Sequence, residues 1–256
     1  MEKSTRGPGR ASTLLFIISL CNGISNPLLA LQRAVDDAQL LGNDVVISRT
    51  FIFENDPLVN EMAKAALRKS QYPGEIMWMG DIALFPDLAK NFTSAMLLNW
   101  KYRIIVLSGT PCKSISRACK MNPLRKKFGL HAEPSNLWWQ AHRGLCFLQE
   151  VHGRYLLTFV ENVIPVSADL LQLDSSAGFR HSMNVPSCSG PSRERFMWSN
   201  WKCDIPVFAP LSGTAGPNSR MSLPSPFQYV SCTAKLPCLR AIFPRLFCML
   251  QIKFRV

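Results

Sequence analysis

The sequence has no Cys-x-x-Cys pair and no cysteine–histidine spacing of the zinc-binding kind, although it holds nine cysteines in 256 residues. An odd, scattered set indicates neither a zinc site nor a complete disulfide framework, and reduced thiols inside a cell are the simpler account. No stretch approaches the length of a transmembrane helix, so no membrane partner is expected. Acidic residues are scarce, 17 against 29 basic ones, and the net charge of +12 is unevenly spread. Residues 113–127 carry Lys113, Arg117, Lys120, Arg125, Lys126 and Lys127 with no acid among them. Residues 201–256 carry seven Lys/Arg against Asp204 alone, and the remainder balances to zero. Such local basicity fits a polyanionic substrate such as nucleic acid, and fits as well a solvated loop kept soluble by its lysines.

With 47% apolar residues the chain can bury a real core, and its length suits one domain with an appendage. Residues 1–12 are polar and read as a disordered N-terminus, 13–203 as the folded domain, and 204–256 as an irregular, poorly ordered tail. Lys3, Arg6 and Arg10 precede the apolar Leu14–Cys21, which resembles the basic and apolar parts of a secretory signal. The run is short, ends at Asn22-Gly23 and lacks a small-residue cleavage pattern, so secretion is not the reading preferred here. Asn91-Phe92-Thr93 matches the glycosylation sequon, a pattern without meaning in a cytosolic or nuclear protein.

Periodicity divides the domain into alternating elements. Residues 14–20 predict a strand, Asn22-Gly23 a turn, and Ile24, Leu28, Leu29, Leu31 and Val35 one face of a helix. A strand, a glycine turn and a helix together present backbone N–H groups to a cofactor. Val45–Phe53 predicts a second strand ending at Glu54, and Asn55-Asp56-Pro57 opens a helix through about Arg68. An acid there can hold ribose hydroxyls or simply cap the helix. Ile76–Met79 predicts a third strand followed by Gly80-Asp81-Ile82, and residues 83–99 a helix and connection. Tyr102–Leu107 predicts a fourth strand, which feeds Ser108-Gly109-Thr110-Pro111-Cys112. Residues 135–151 carry a helical stripe of core type, and Tyr155–Val160 predicts a fifth strand with Glu161-Asn162-Val163 at its end. Strands separated by helices favour an α/β fold, a doubly wound, mostly parallel sheet of Rossmann-like kind. Ligands bind outside the carboxyl ends of such strands, which makes Cys112 a candidate nucleophile with cationic neighbours that favour its thiolate. The alternative is an inert core thiol.

Gly23, Glu54, Asp81, Cys112 and Glu161 thus fall at the tips of successive strands, and the series resembles the DNA (cytosine-5) methyltransferases, nearest the eukaryotic de novo type. Gly109-Thr110-Pro111-Cys112 with Ser116 resembles that family's Pro-Cys loop, and Phe159–Val163 its Glu-Asn-Val motif. Ser192–Asn200 resembles its Arg-x-Arg segment, and Leu20-Cys21-Asn22-Gly23-Ile24 its first cofactor motif. The resemblance covers roughly residues 14–200 and implies an S-adenosylmethionine-dependent methyltransferase catalytic domain acting on cytosine carbon 5. It implies catalytic roles for Cys112, Glu161, Arg193 and Arg195. Cofactor contacts are implied for Cys21, Asn22, Gly23, Ile24, Glu54, Asp81, Ile82 and Pro111. Lys113, Ser116, Arg117, Arg125, Lys126 and Lys127 are implied to meet nucleic acid. Double-stranded DNA is the expected partner, with tRNA open, together with a homodimer or a heterodimer with another methyltransferase; a eukaryotic chain would be nuclear. A catalytically inactive relative that binds or regulates an active enzyme is the alternative.

The chain departs from the family pattern at three places. Asn22 stands where an acid is common, Asn26-Pro27 where small residues are usual, and Arg103 where an acid is frequent in the fourth strand. After about Trp201 the family continues into a target-recognition region and a closing helix, whereas residues 204–256 show neither and hold seven of the 18 prolines. The family's sequence is expected to break off near residue 201, as a frameshift or mis-splicing would cause. Proline has no N–H, so Pro27 predicts weakened S-adenosylmethionine affinity. Titration calorimetry should show tighter binding in Pro27→Ala; equal affinities would clear Pro27 of that effect.

Overall fold

The computed structural model describes residues 12–96, 102–111, 129–163, 165, 167–185 and 193–200. In chain order the elements are β1 (Thr13–Leu20), α1 (Asn26–Leu40), β2 (Val45–Phe53), α2 (Pro57–Lys69) and β3 (Glu75–Trp78). A 3-10 turn (Ile82–Leu84) leads into α3 (Phe85–Met96), followed by β4 (Tyr102–Ser108), α4 (Leu137–His152) and β5 (Leu156–Val163). The last elements are α5 (Ser167–Ala177), β6 (Phe179–Val185) and β7 (Arg193–Ser199). They build one seven-stranded sheet in the order β3-β2-β1-β4-β5-β7-β6. The first five strands run parallel, and β7 inserts antiparallel between β5 and β6. The doubly wound, mostly parallel sheet expected from the sequence is the fold.

Why these segments form strands follows from burial on both faces. Leu15, Ile17, Ile105, Leu107, Leu157 and Phe159 pack with the apolar side of α1. Ile18, Leu20, Ile104, Val106 and Val160 pack on the other face with residues of α3, α4 and α5. A strand covered on both sides reads as a continuous apolar run rather than an alternation, which is how β1 and β4 read. On α1, Leu28, Leu31 and Val35 are buried as the spacing predicted. Ile24, by contrast, belongs to the preceding turn and is 38% exposed, because the helix begins only at Asn26. Asp56 starts α2 by accepting the Leu58 and Val59 N–H groups at 2.9 and 3.1 Å.

Two indole groups fix the last helix. Trp198 Nε1 donates to Asp174 Oδ1 at 2.8 Å and Trp138 Nε1 to Ser176 Oγ at 3.2 Å. Both rings are fully buried, and a buried indole without an acceptor would cost about 1–3 kcal/mol. Asn200 then closes the end of β7, donating to Leu156 O at 2.9 Å and accepting from Thr158 N at 2.9 Å.

Gly144 marks the tightest contact between helices. A Cβ there would lie within 3.0 Å of three carbons of the Phe85 ring, which is itself buried and set edge-on against Phe53 at 5.6 Å. In an open helix Gly→Ala gains up to about 1 kcal/mol, whereas overpacking a core costs about 1–3 kcal/mol. Gly144→Ala should therefore lower unfolding free energy by about 1–2 kcal/mol in a denaturant titration; a gain in stability would mean that the ring can move aside.

Candidate functional site

The site is built where β1, β2, β3, β4 and β5 deliver their carboxyl ends. After β1 the chain turns through Cys21, Gly23 and Ser25, all with positive φ (52°, 57° and 66°). Two of these are not glycine, a backbone cost that packing must offset. The clamps are on both sides: Cys21 N–H donates to Phe53 O and Gly109 N–H to Leu20 O, each at 2.9 Å. Asn22 adds a third clamp, donating from Nδ2 to Leu107 O at 2.7 Å and to Ser19 Oγ at 2.9 Å. A carboxylate at position 22 would face the Leu107 carbonyl with no proton to give. Asn22 thus has a structural role as a strap between β1 and β4. The strap also explains Gly109, since a Cβ there would sit 3.0 Å from Asn22 Oδ1.

Gly23 is different. Nothing lies within 4 Å of where its Cβ would be, so its φ demands glycine and the space above it is open. Among the described residues no hydrogen bond engages the Gly23 or Ile24 N–H, which leaves two donors at the tip of β1. Pro27 sits in the first turn of α1, where a missing N–H costs the helix little. The Leu28 and Leu29 N–H groups both return to Ser25 O, at 3.0 and 3.2 Å.

Glu54 and Asp81 converge on the same corner. The Cys21 thiol is pushed up to about 12, first by burial and then by the carboxylates of Glu54 and Asp81. Strand pairing of β1 with β2 and of β2 with β3 sets these tips side by side. Asp56 caps α2, so the capping alternative for Glu54 falls away; Glu54 Oε1 only receives the Asp56 N–H at 3.3 Å. Asp81 is exposed and its Oδ1 accepts from Ala83 N at 2.9 Å, while Ile82 is buried.

On the other side of the strap, Pro111 O accepts from Ser135 Oγ at 2.9 Å and Thr110 O lies 3.4 Å from Asn162 Nδ2. Leu130, one residue after the described chain resumes, is held by its N–H on Asp169 Oδ1 at 2.9 Å. Cys112, Lys113, Ser116, Arg117, Lys120, Arg125, Lys126 and Lys127 lie outside the described residues, as do the N-terminal residues 1–11 and the tail 201–256.

Glu161 corrects one expectation. β5 runs on to Val163, so this residue lies within the strand rather than beyond it, because β7 pairs alongside and extends the ladder. Arg195 Nη1 stands 3.4 Å from Glu161 Oε1, the two side chains being 22% and 25% exposed. Oε1 itself is sealed from solvent and receives no hydrogen bond. Burial raises the Glu161 pKa and Arg195 opposes that rise. Arg193 opens β7 opposite Val185, two positions along the ladder from Arg195. The sequence reading assigned no role to Ser135, Asn162 and Asp169, which hold the loop ends. Asn162 stood inside a recognised motif, whereas Ser135 and Asp169 carry no local signal.

No family model matches this chain, and no curated protein matches it. Among solved structures it is similar to a precorrin 8W decarboxylase from Methanobacterium thermoautotrophicum, with 9% identity over 73% of this chain and 82% of that one and a TM-score of 0.40. It is also similar to a human methyltransferase 10 domain containing protein, with 12% identity, 74% of each chain and a TM-score of 0.36. A mutant of MtNAS shows 13% identity over 74% of this chain and 53% of that one, with a TM-score of 0.30. Likenesses this distant decide nothing about the reaction. Among the described residues no three His, Cys, Asp or Glu side chains group to hold a metal, and no helix is long and apolar enough to cross a membrane.

The buried Glu161 makes a pH test available. A carboxyl whose folded pKa lies above its unfolded value binds a proton more tightly when folded, so its contribution is favourable at low pH and is lost as pH rises through the folded pKa. Glu161→Gln should match the wild type in melting temperature at about pH 4 and exceed it at about pH 8. A variant less stable at the higher pH would show that the Arg195 attraction outweighs the burial cost.

Proposed function

We propose that this chain transfers a methyl group from S-adenosylmethionine to carbon 5 of cytosine in DNA. The observation that carries the reading is the placement of Glu161, a carboxyl with a sealed, donor-less oxygen beside Arg195, on the strand next to the one that leads into Pro111-Cys112. Cytosine carbon 5 is a poor nucleophile. A thiolate of Cys112 adding to carbon 6 would turn the ring into an enamine equivalent, and loss of the carbon 5 proton after methyl transfer would expel the thiolate again. Charge that builds on the ring needs a partner, and Glu161, whose pKa is raised by burial against the pull of Arg195, would meet ring nitrogen 3 and the exocyclic amine. Arg195 would hold the carbonyl oxygen or the cysteine side, and Arg193 stands two residues before it on the same strand.

The residues at the tips of β1 to β3 suit the cofactor. Free N–H groups at Gly23 and Ile24, open space above Gly23, and the carboxylates of Glu54 and Asp81 match a ligand with ribose hydroxyls and a positive charge. S-adenosylmethionine, when bound, supplies an electrophilic methyl group on a sulfonium. Ile82, Cys21 and Asn22 would shape the same pocket, with Pro111 at its far side. Double-stranded DNA is the partner, gripped through Lys113, Ser116, Arg117, Arg125, Lys126 and Lys127, whose phosphate contacts would offset flipping the target base.

Incubation with labelled S-adenosylmethionine and a duplex containing 5-fluorocytosine should trap a covalent adduct, absent in Cys112→Ala. Glu161→Gln should lower the methylation rate by about a hundredfold. Trapping of equal yield in Cys112→Ala removes that residue from the mechanism, and competition between duplex DNA and tRNA identifies the substrate.

A further inference from the structure

Away from the carboxyl corner, an open groove of about 480 Å³ runs between α2 and β3, with Leu67, Tyr72, Ile76 and Trp78 among the residues that line it. β3 is the outermost strand and pairs only with β2 among the described residues. Met79 N–H donates to Ile52 O at 2.8 Å, so the odd-numbered residues of this segment turn their backbone groups toward β2. By the period of two, Ile76 and Trp78 turn theirs to the open edge, and the same two residues put their side chains into the groove. The charge leans positive: Lys64 and Arg68 line the groove against Glu61 alone. Glu61 is paired with Lys64 and Glu75 with Arg49, each at 2.7 Å, while Arg68, which feels the charge of Glu61, makes no ion pair of its own among the described residues. Lys64 also reaches over the Trp78 ring, 5.4 Å from its centre.

We propose that this groove and the β3 edge receive an extended acidic peptide segment of another protein, added alongside β3 as a further strand. Its backbone pairs with Ile76 and Trp78, alternate apolar side chains lie over Trp78 and Leu67, and a carboxylate meets Arg68. A second copy of this chain is the poorer occupant, since each copy carries a net charge of +12 and would bring the same surplus of cations. A nucleic acid would use the arginine and leave both the strand edge and the apolar floor without a role.

The test uses the full chain and a fluorescein-labelled peptide of alternating valine and glutamate, read by anisotropy. Binding should weaken about fivefold in Arg68→Glu and vanish when alternate peptide amides are N-methylated, with circular dichroism confirming that the variant is folded. Binding that survives N-methylation, or that is unchanged in Arg68→Glu, overturns the proposal. Displacement of the peptide by a short DNA duplex, with an equal loss of duplex binding in Arg68→Glu, would give the groove to nucleic acid and overturn it as well.

Discussion

Everything at the carboxyl edge depends on β1 being held from both sides. It pairs in parallel with β2 along one flank and with β4 along the other, and the strand order reverses there. At such a reversal the loops leaving neighbouring strands diverge and leave a crevice between them. The Asn22 strap holds the width of that crevice: its bond to Ser19 on β1 aims the amide, and its bond to Leu107 O, worth about 1 kcal/mol, is lost if β4 shifts. The three positive-φ residues of the turn are affordable only on this footing.

The two sides of the crevice differ in electrostatics. Glu54 and Asp81 make the corner beyond β1 to β3 negative, and the effect is large enough to add to burial in holding the Cys21 thiol protonated. On β5 the balance is the reverse: Arg195 opposes a burial cost that it does not cancel, and Glu161 is left with a raised pKa. Glu54 and Asp81 face the open corner, whereas Glu161 has its pKa raised by burial. The same residue type does two kinds of work because the sheet presents one at a loop tip and the other inside a ladder.

Most of the parallel half of the sheet was legible in the sequence. Apolar runs of strand length followed by glycine, proline or acidic turns gave β1 to β4 to within a residue and the start of β5, whose last three residues were read as a loop. The closing part was less legible. α5 and β6 were not anticipated, because Phe179–Val185 mixes polar and apolar residues, as an edge strand does when its partner lies on one side only. In the site, residues at strand tips could be read from their position, whereas Ser135 and Asp169 act across 24 and 39 positions of chain. Contacts that distant leave no local trace.

The antiparallel ladder between β5 and β7 sets Glu161 opposite Met197 and Val163 opposite Arg195, so that acid and arginine are diagonal neighbours on one face. Their separation is therefore a property of strand alignment. A slip of a single position would send one of the pair to the other side of the sheet, with Met197 and Trp198 exchanging faces at the same time. The packing that seats a fully buried tryptophan on this strand also locks the acid against its base, and the accuracy of the site is inherited from the hydrophobic core.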